Sequence, residues 1–230
     1  GSDAVAGVIN IITRDNFEGL EINASYSNAT EHDMGTQRYS ITGGTTSENG
    51  NAWVTVDYMQ RNSVQMNDRD FSASANQGPA GGYDFSSSSG NPGSIKILPG
   101  SESGYESGFY MVPSDSTGTP TAEEIIGAPG TNRFNYNPWM TLTPAIERNG
   151  ASSHINYTLT DYATAFVHTT YRNLKVHQEM APTPAFGDLN TDTWGILPAS
   201  NAFNPFGEDT TFRHRLTEVG PRLFDIESDV

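Results

Sequence analysis

From Leu20 onward, apolar and polar side chains alternate one for one in several separate stretches. Leu20, Ile22, Ala24 and Tyr26 stand against Glu21, Asn23, Ser25 and Ser27. A period of two sends successive side chains to opposite faces, so this is a strand with one apolar and one polar face. The pattern returns over 38–45, with Tyr39, Ile41 and Gly43 against Arg38, Ser40 and Thr42. A tight turn, Ser47-Glu48-Asn49-Gly50, carries the Asn-Gly hairpin signal. It leads into Ala52, Val54, Val56 and Tyr58, set against Trp53, Thr55, Asp57, Met59 and Arg61. Far downstream a second hairpin follows. Ser153, Ile155, Tyr157 and Leu159 oppose Ser152, His154, Asn156 and Thr158. After a turn at 160–162, Ala163, Ala165, Val167, Thr169 and Tyr171 oppose Thr164, Phe166, His168, Thr170 and Arg172. A helical period is visible only over 122–126.

Segments of about ten residues, apolar outside and polar inside, are what a transmembrane β-barrel requires. The connections fit the same architecture. Short turns at 46–51 and 160–162 alternate with long loops at about 63–140 and 177–215. Loops beyond about 15 residues are uncommon in compact domains, whereas short periplasmic turns and long extracellular loops characterise outer-membrane barrels. With the first strand rising from the periplasm, Tyr26, Tyr39, Tyr58 and Tyr171 fall at the outer strand ends, and Tyr157 at the inner end. All five are on the apolar face, where amphipathic rings form lipid-interface girdles. Trp53, Met59 and Phe166 fall on the interior face and need packing partners there. The expectation is an all-β, antiparallel, up-and-down transmembrane barrel. It would be present as an incomplete piece of about five or six strands with long extracellular loops.

Composition narrows the class further. The 230 residues carry a formal charge of −15, which disfavours a nucleic-acid backbone as partner. Cysteine is absent, excluding disulfides and thiolate metal sites. No stretch approaches the roughly 18 apolar residues of a spanning helix.

Residues 1–14 read GSDAVAGVINIITR. A small-residue turn, Gly1-Ser2-Asp3-Ala4, precedes a run apolar on both faces, broken by Gly7 and Asn10. That is how a short buried strand reads, with Gly7 permitting close backbone approach and Asn10 needing an internal partner. The run resembles the closing segment of the plug domain of TonB-dependent outer-membrane receptors, with Gly1, Ser2, Asp3, Gly7 and Asn10 as the motif positions. Weaker likenesses to the same family lie at 147–162 and 197–207.

The resemblance implies a fragment: residues 1–14 close the plug and 15–230 form the N-terminal part of the barrel. It also implies a receptor in the outer membrane of a Gram-negative bacterium. Such a receptor takes up a scarce nutrient (ferric siderophore, cobalamin or glycan) with energy from the TonB–ExbB–ExbD complex. The energy-coupling residues would lie upstream of Gly1. The alternative is a surface β-protein or adhesin that binds its partner through long loops.

No catalytic constellation emerges, so no enzyme is expected. The five His show no HExxH spacing, and the acidic clusters at 68–70 and 188–192 fit no EF-hand loop. No metal and no cofactor is expected. The loops are rich in aromatic residues, and the candidates for a ligand vestibule are Tyr83, Phe85, Tyr105, Phe109, Tyr110, Arg133 and Trp194. Stacking on sugar rings or aromatic chelators would suit them. The competing account is that these aromatics pack the loops themselves. His154, His168 and Arg172 would face the lumen.

Overall fold

The computed structural model describes residues 16–31, 33–115, 119–187 and 196–229. The plug-like motif at 1–14 therefore lies outside the described residues, as does Trp194. In chain order the strands are β1 (Gly19–Ser27), β2 (Thr36–Ser47), β3 (Gly50–Arg61), β4 (Val64–Gln65), β5 (Ser94–Ile97) and β6 (Gly108–Met111). Then come β7 (Thr141–Thr143), β8 (Ala145–Thr160), β9 (Ala163–Met180), β10 (Pro184–Phe186), β11 (Ile196–Leu197), β12 (Thr210–Arg215) and β13 (Arg222–Asp229). One short α-helix, α1 (Ala122–Ile126), is present. The chain divides into two compact units, one from 1–62, 145–176 and 225–230, the other from 63–144 and 177–224.

The first unit is built on a six-stranded sheet in the order β1-β2-β3-β8-β9-β13, so the long insertion between β3 and β8 leaves those two strands adjacent. The all-β, antiparallel expectation holds. Strand pairing stops at β1 and at β13, and no closed barrel is formed among the described residues. Register follows the alternation. Ile22 pairs Ile41, Ile41 pairs Val56 and Val56 pairs Ala151, one row on one face. A slip of one residue would invert every facing, so the shared pattern pins the register.

Two details depart from expectation. The β2–β3 turn centres on Glu48-Asn49, with Ser47 paired to Gly50, so Gly50 belongs to a strand. Its lack of a side chain serves pairing: a Cβ there would lie 2.9 Å from the Tyr157 Cα and closer still to the Asn156 carbonyl. β8 and β9 also run well past the apolar alternation, to Ala145 and Met180. In the β8 extension both faces carry polar residues, and in that of β9 the apolar side chains Leu174, Val176 and Met180 change to the face of Arg172, so the preceding pattern does not continue.

The second unit holds what the sequence presents as long loops. They are not structureless. β10-β12-β5-β6, with β11 on β12, make a five-stranded sheet, and Phe212 of β12 pairs with Ile95 of β5. Ile95, Ile97, Tyr110, Ala122, Ile125 and Phe206 form its core. Helix α1 docks Ala122 and Ile125 there, capped reciprocally: Glu124 N–H donates to the Thr121 hydroxyl, and Thr121 N–H donates to the Glu124 carboxylate at 2.7 Å. Arg215 is buried, donating to the Pro182 carbonyl and the Ser87 hydroxyl at 2.7 Å each, with its guanidinium over the Phe134 ring.

Candidate functional site

The six-stranded sheet presents two chemically opposite faces. On one, Leu20, Ile22, Ile41, Val54, Val56, Ile155 and Val167 are all about half exposed or more, Leu20 reaching 71%. So many aliphatic residues left open on one sheet face form a patch far larger than isolated surface apolar residues. Tyrosines frame it. Tyr39 pairs directly with Tyr58, their rings stacked at 6.4 Å. Tyr26 stands one step further along the strands, and Tyr157, paired with Gly50, marks the other end. Tyr171 shares the face by period two, since its neighbour Arg172 reaches Asp57 on the opposite side.

The height of this band follows from the ladder. Tyr26 pairs Gln37, Gln37 pairs Gln60 and Gln60 pairs Glu147; ten residues of β8 separate Glu147 from Tyr157. At about 3.4 Å per residue that is about 34 Å, which a strand tilt of ~40° reduces to about 26 Å. No charged side chain falls between the tyrosine levels on this face of β1, β2, β3 and β8. Charge begins at Glu147 and continues at Lys175, 3.1 Å from Glu227.

The opposite face is polar. Thr42 and Thr55 share a hydroxyl hydrogen bond at 2.8 Å. Trp53 packs against His154 and His168, whose rings lie 5.8 Å apart, edge to face. Asp57 accepts from Arg172 at 2.7 Å and lies 3.7 Å from Arg148. Gly150 makes that reach possible, because a Cβ there would collide with the Arg172 guanidinium. The chain joins the sheet from this side: the Asn51 side-chain amide donates to Asn16 Oδ1, and a Cβ on Gly44 would stand 2.6 Å from the Phe17 carbonyl oxygen. Trp53, awkward on a polar face from the sequence, thus has ring partners of its own.

The vestibule candidates separate into two groups. Tyr110 is 8% exposed with its hydroxyl on the Glu106 carbonyl, and it belongs to the core of the second unit. Tyr105 packs edge-on against Phe206 at 5.9 Å. For these two the packing account is correct, and Tyr110 drops out of the ligand set. Phe109 lies under the Arg213 guanidinium at 4.5 Å and near the Lys96 ammonium. Tyr83 and Phe85 are exposed, edge to face at 6.3 Å, with Arg133 beside them on Asp84 at 3.4 Å. The Ser86 side chain and N–H, and then Arg133, hold the Asp84 carboxyl below its ordinary range. Among the described candidates, Tyr83, Phe85 and Arg133 make an exposed aromatic-cationic cluster.

No known protein family matches this chain, and neither does any curated protein or solved structure. Function therefore has to be read from the two faces themselves. No helix among the described residues is long and apolar enough to cross a membrane, which bears on helices alone. The sequence reading singled out His154, His168 and Arg172 on the polar face but missed Arg38 and Arg148. Arg38 sits at a polar position of an alternating stretch, whereas Arg148 lies in the β8 extension, where no alternation marks its face, and only the register reveals that both flank the same residue, Met59.

Proposed function

We propose that this chain forms part of the wall of a transmembrane β-barrel in a bacterial outer membrane, in a receptor of the TonB-dependent kind. One observation carries the reading: on β1, β2, β3 and β8 an exposed apolar face with no charge between its tyrosines backs onto a polar face, and a barrel-like strand tilt of ~40° would make it about 26 Å tall. A sheet in water would bury such a face against a second layer. Lipid covers it without one, and barrel closure satisfies the backbone groups at the two edges.

The approach of residues 16 and 17 across the polar face supports a plug held on the lumenal side. The resemblance of residues 1–14 to a plug ending supplies the family. The cargo is a scarce nutrient, a ferric siderophore, cobalamin or glycan, and TonB–ExbB–ExbD supplies the energy. Within the second unit, Tyr83, Phe85 and Arg133 meet the ligand.

Expression of the full-length protein in a Gram-negative host tests this. It should fractionate with the outer membrane, migrate differently on gels before and after boiling, and support TonB-dependent growth on one of these nutrients. Recovery as a water-soluble protein would refute the reading.

A further inference from the structure

The polar face of the six-stranded sheet gathers positive charge in an acidic chain. The protein has only twelve Lys and Arg against 27 Asp and Glu. Three of the twelve, Arg38, Arg148 and Arg172, occupy two neighbouring rows of this face. Arg38 and Arg148 pair with Met59 from either side, so their strands are about 10 Å apart, two strand spacings. The carboxylate within these rows is Asp57, and it is committed to Arg172 at 2.7 Å, with Arg148 further away at 3.7 Å. Gly150 secures that commitment by clearing the path of Arg172. Arg38 is exposed and pairs with no carboxylate among the described residues. Three arginines against Asp57 leave these two rows positive, while Glu21, in the adjoining row, accepts from the Asn23 amide at 2.8 Å.

A cavity of about 430 Å³ opens beside them. Arg38 and Arg148 line it together with Asn23, Ser25, Ser40, Thr55, Tyr39 and Tyr58, and with Asp57, the carboxylate already committed to Arg172. Two guanidinium forks over hydroxyl and amide donors are suited to a planar or tetrahedral oxyanion. Lysines placed there would offer charge without that geometry.

We propose that this cavity is an anion site, and that it takes a carboxylate- or phosphate-bearing small molecule held between Arg38 and Arg148. Its place on a transport path rests on the receptor reading above; the binding itself requires only the sheet. The cargo class it selects is anionic. An acidic segment of protein in the same cavity is the competing occupant, and it would keep small anions out.

The test is calorimetric titration of the full-length protein in detergent with citrate and with inorganic phosphate, which separate carboxylate from phosphate recognition. Saturable binding of at least one, weakening as salt is raised, is expected. R38Q and R148Q should each weaken it by about tenfold or more, the scale of one charge-assisted contact. R38Q breaks no ion pair, so its effect is not one of misfolding. K175Q, on the opposite face, should leave binding unchanged. Absence of binding by both anions, or binding indifferent to R38Q and R148Q, would overturn the proposal. Heat-dependent gel mobility of the same samples reports barrel formation separately, so a folded barrel that binds neither anion sinks this inference alone.

Discussion

Single residues here are set by what stands opposite them. Gly150 is the clearest case. G150A should displace Arg172 from Asp57 and, because the clash is with the ends of two flexible side chains, destabilise the folded sheet by about 1 kcal/mol or less, the scale of a partly exposed ion pair. G43A should be neutral, since its Cβ would meet only the end of Leu20 at 3.9 Å. Denaturant titration of both variants in the same detergent checks the contrast. Glu208 is set by donors instead. The Ser101 hydroxyl, and then the Glu102 and Ser103 groups, hold its carboxyl below the usual value near 4.5. A carboxyl depressed in the folded state adds stability that is present above that usual value and is lost as pH falls through the folded one. The contact between 101–103 and Glu208 should therefore loosen in acid, seen as lower amide protection over 98–104 relative to the intrinsic exchange rate at each pH. E208Q should remove that change in protection, and protection that falls equally with pH in E208Q would contradict the assignment. Legibility at this scale is uneven. The facing of Tyr39 and Tyr58 can be read from alternation alone, but the coupling of Arg172, Asp57 and Gly150 joins residues 115 apart and needs the register.

At the scale of elements, the long alternating strands are legible because one face stays apolar for their whole spanning length. The extensions are not, because polar residues on both sides erase the period in β8 and the apolar positions change face in β9. The short strands of the second unit fail for another reason. β5 and β6 have four residues each, too few for a period, and β5 is held by β12 more than a hundred residues away. The capped helix α1 is visible in the sequence because its signal is local. Charge placement tests the strand account directly. I41K should cost about 2–4 kcal/mol of folding stability in lipid, because the ammonium would sit in the apolar band, whereas T42K on the polar face should cost far less. Equal effects, read by refolding into vesicles, would mean that neither face meets lipid.

For the whole molecule, the proposed receptor would draw its wall from the six-stranded sheet and its ligand contacts from the second unit. The six-stranded sheet draws no strand from 75–130, whereas the second unit takes β5, β6 and α1 from that span. Deleting it should therefore abolish the core of the second unit, with loss of ligand affinity and uptake, while heat-dependent gel mobility of the barrel persists. Loss of both together would mean that the wall depends on the loops. The central claim, that the apolar face meets lipid, can be measured most directly by site-directed labelling, since these 230 residues hold no cysteine and any outside them can be replaced by serine. Single substitutions Ile41→Cys, Val54→Cys, Val56→Cys and Ile155→Cys, and on the other face Ser40→Cys, Thr55→Cys and Ser152→Cys, each accept one spin label in the membrane-embedded full-length protein. Accessibility to oxygen, which concentrates in lipid, and to a polar nickel chelate, which stays in water, should alternate with a period of two. The first four labels should read as lipid and the last three as lumen or protein. High accessibility of both sets to the nickel chelate, or loss of the alternation, would contradict the account.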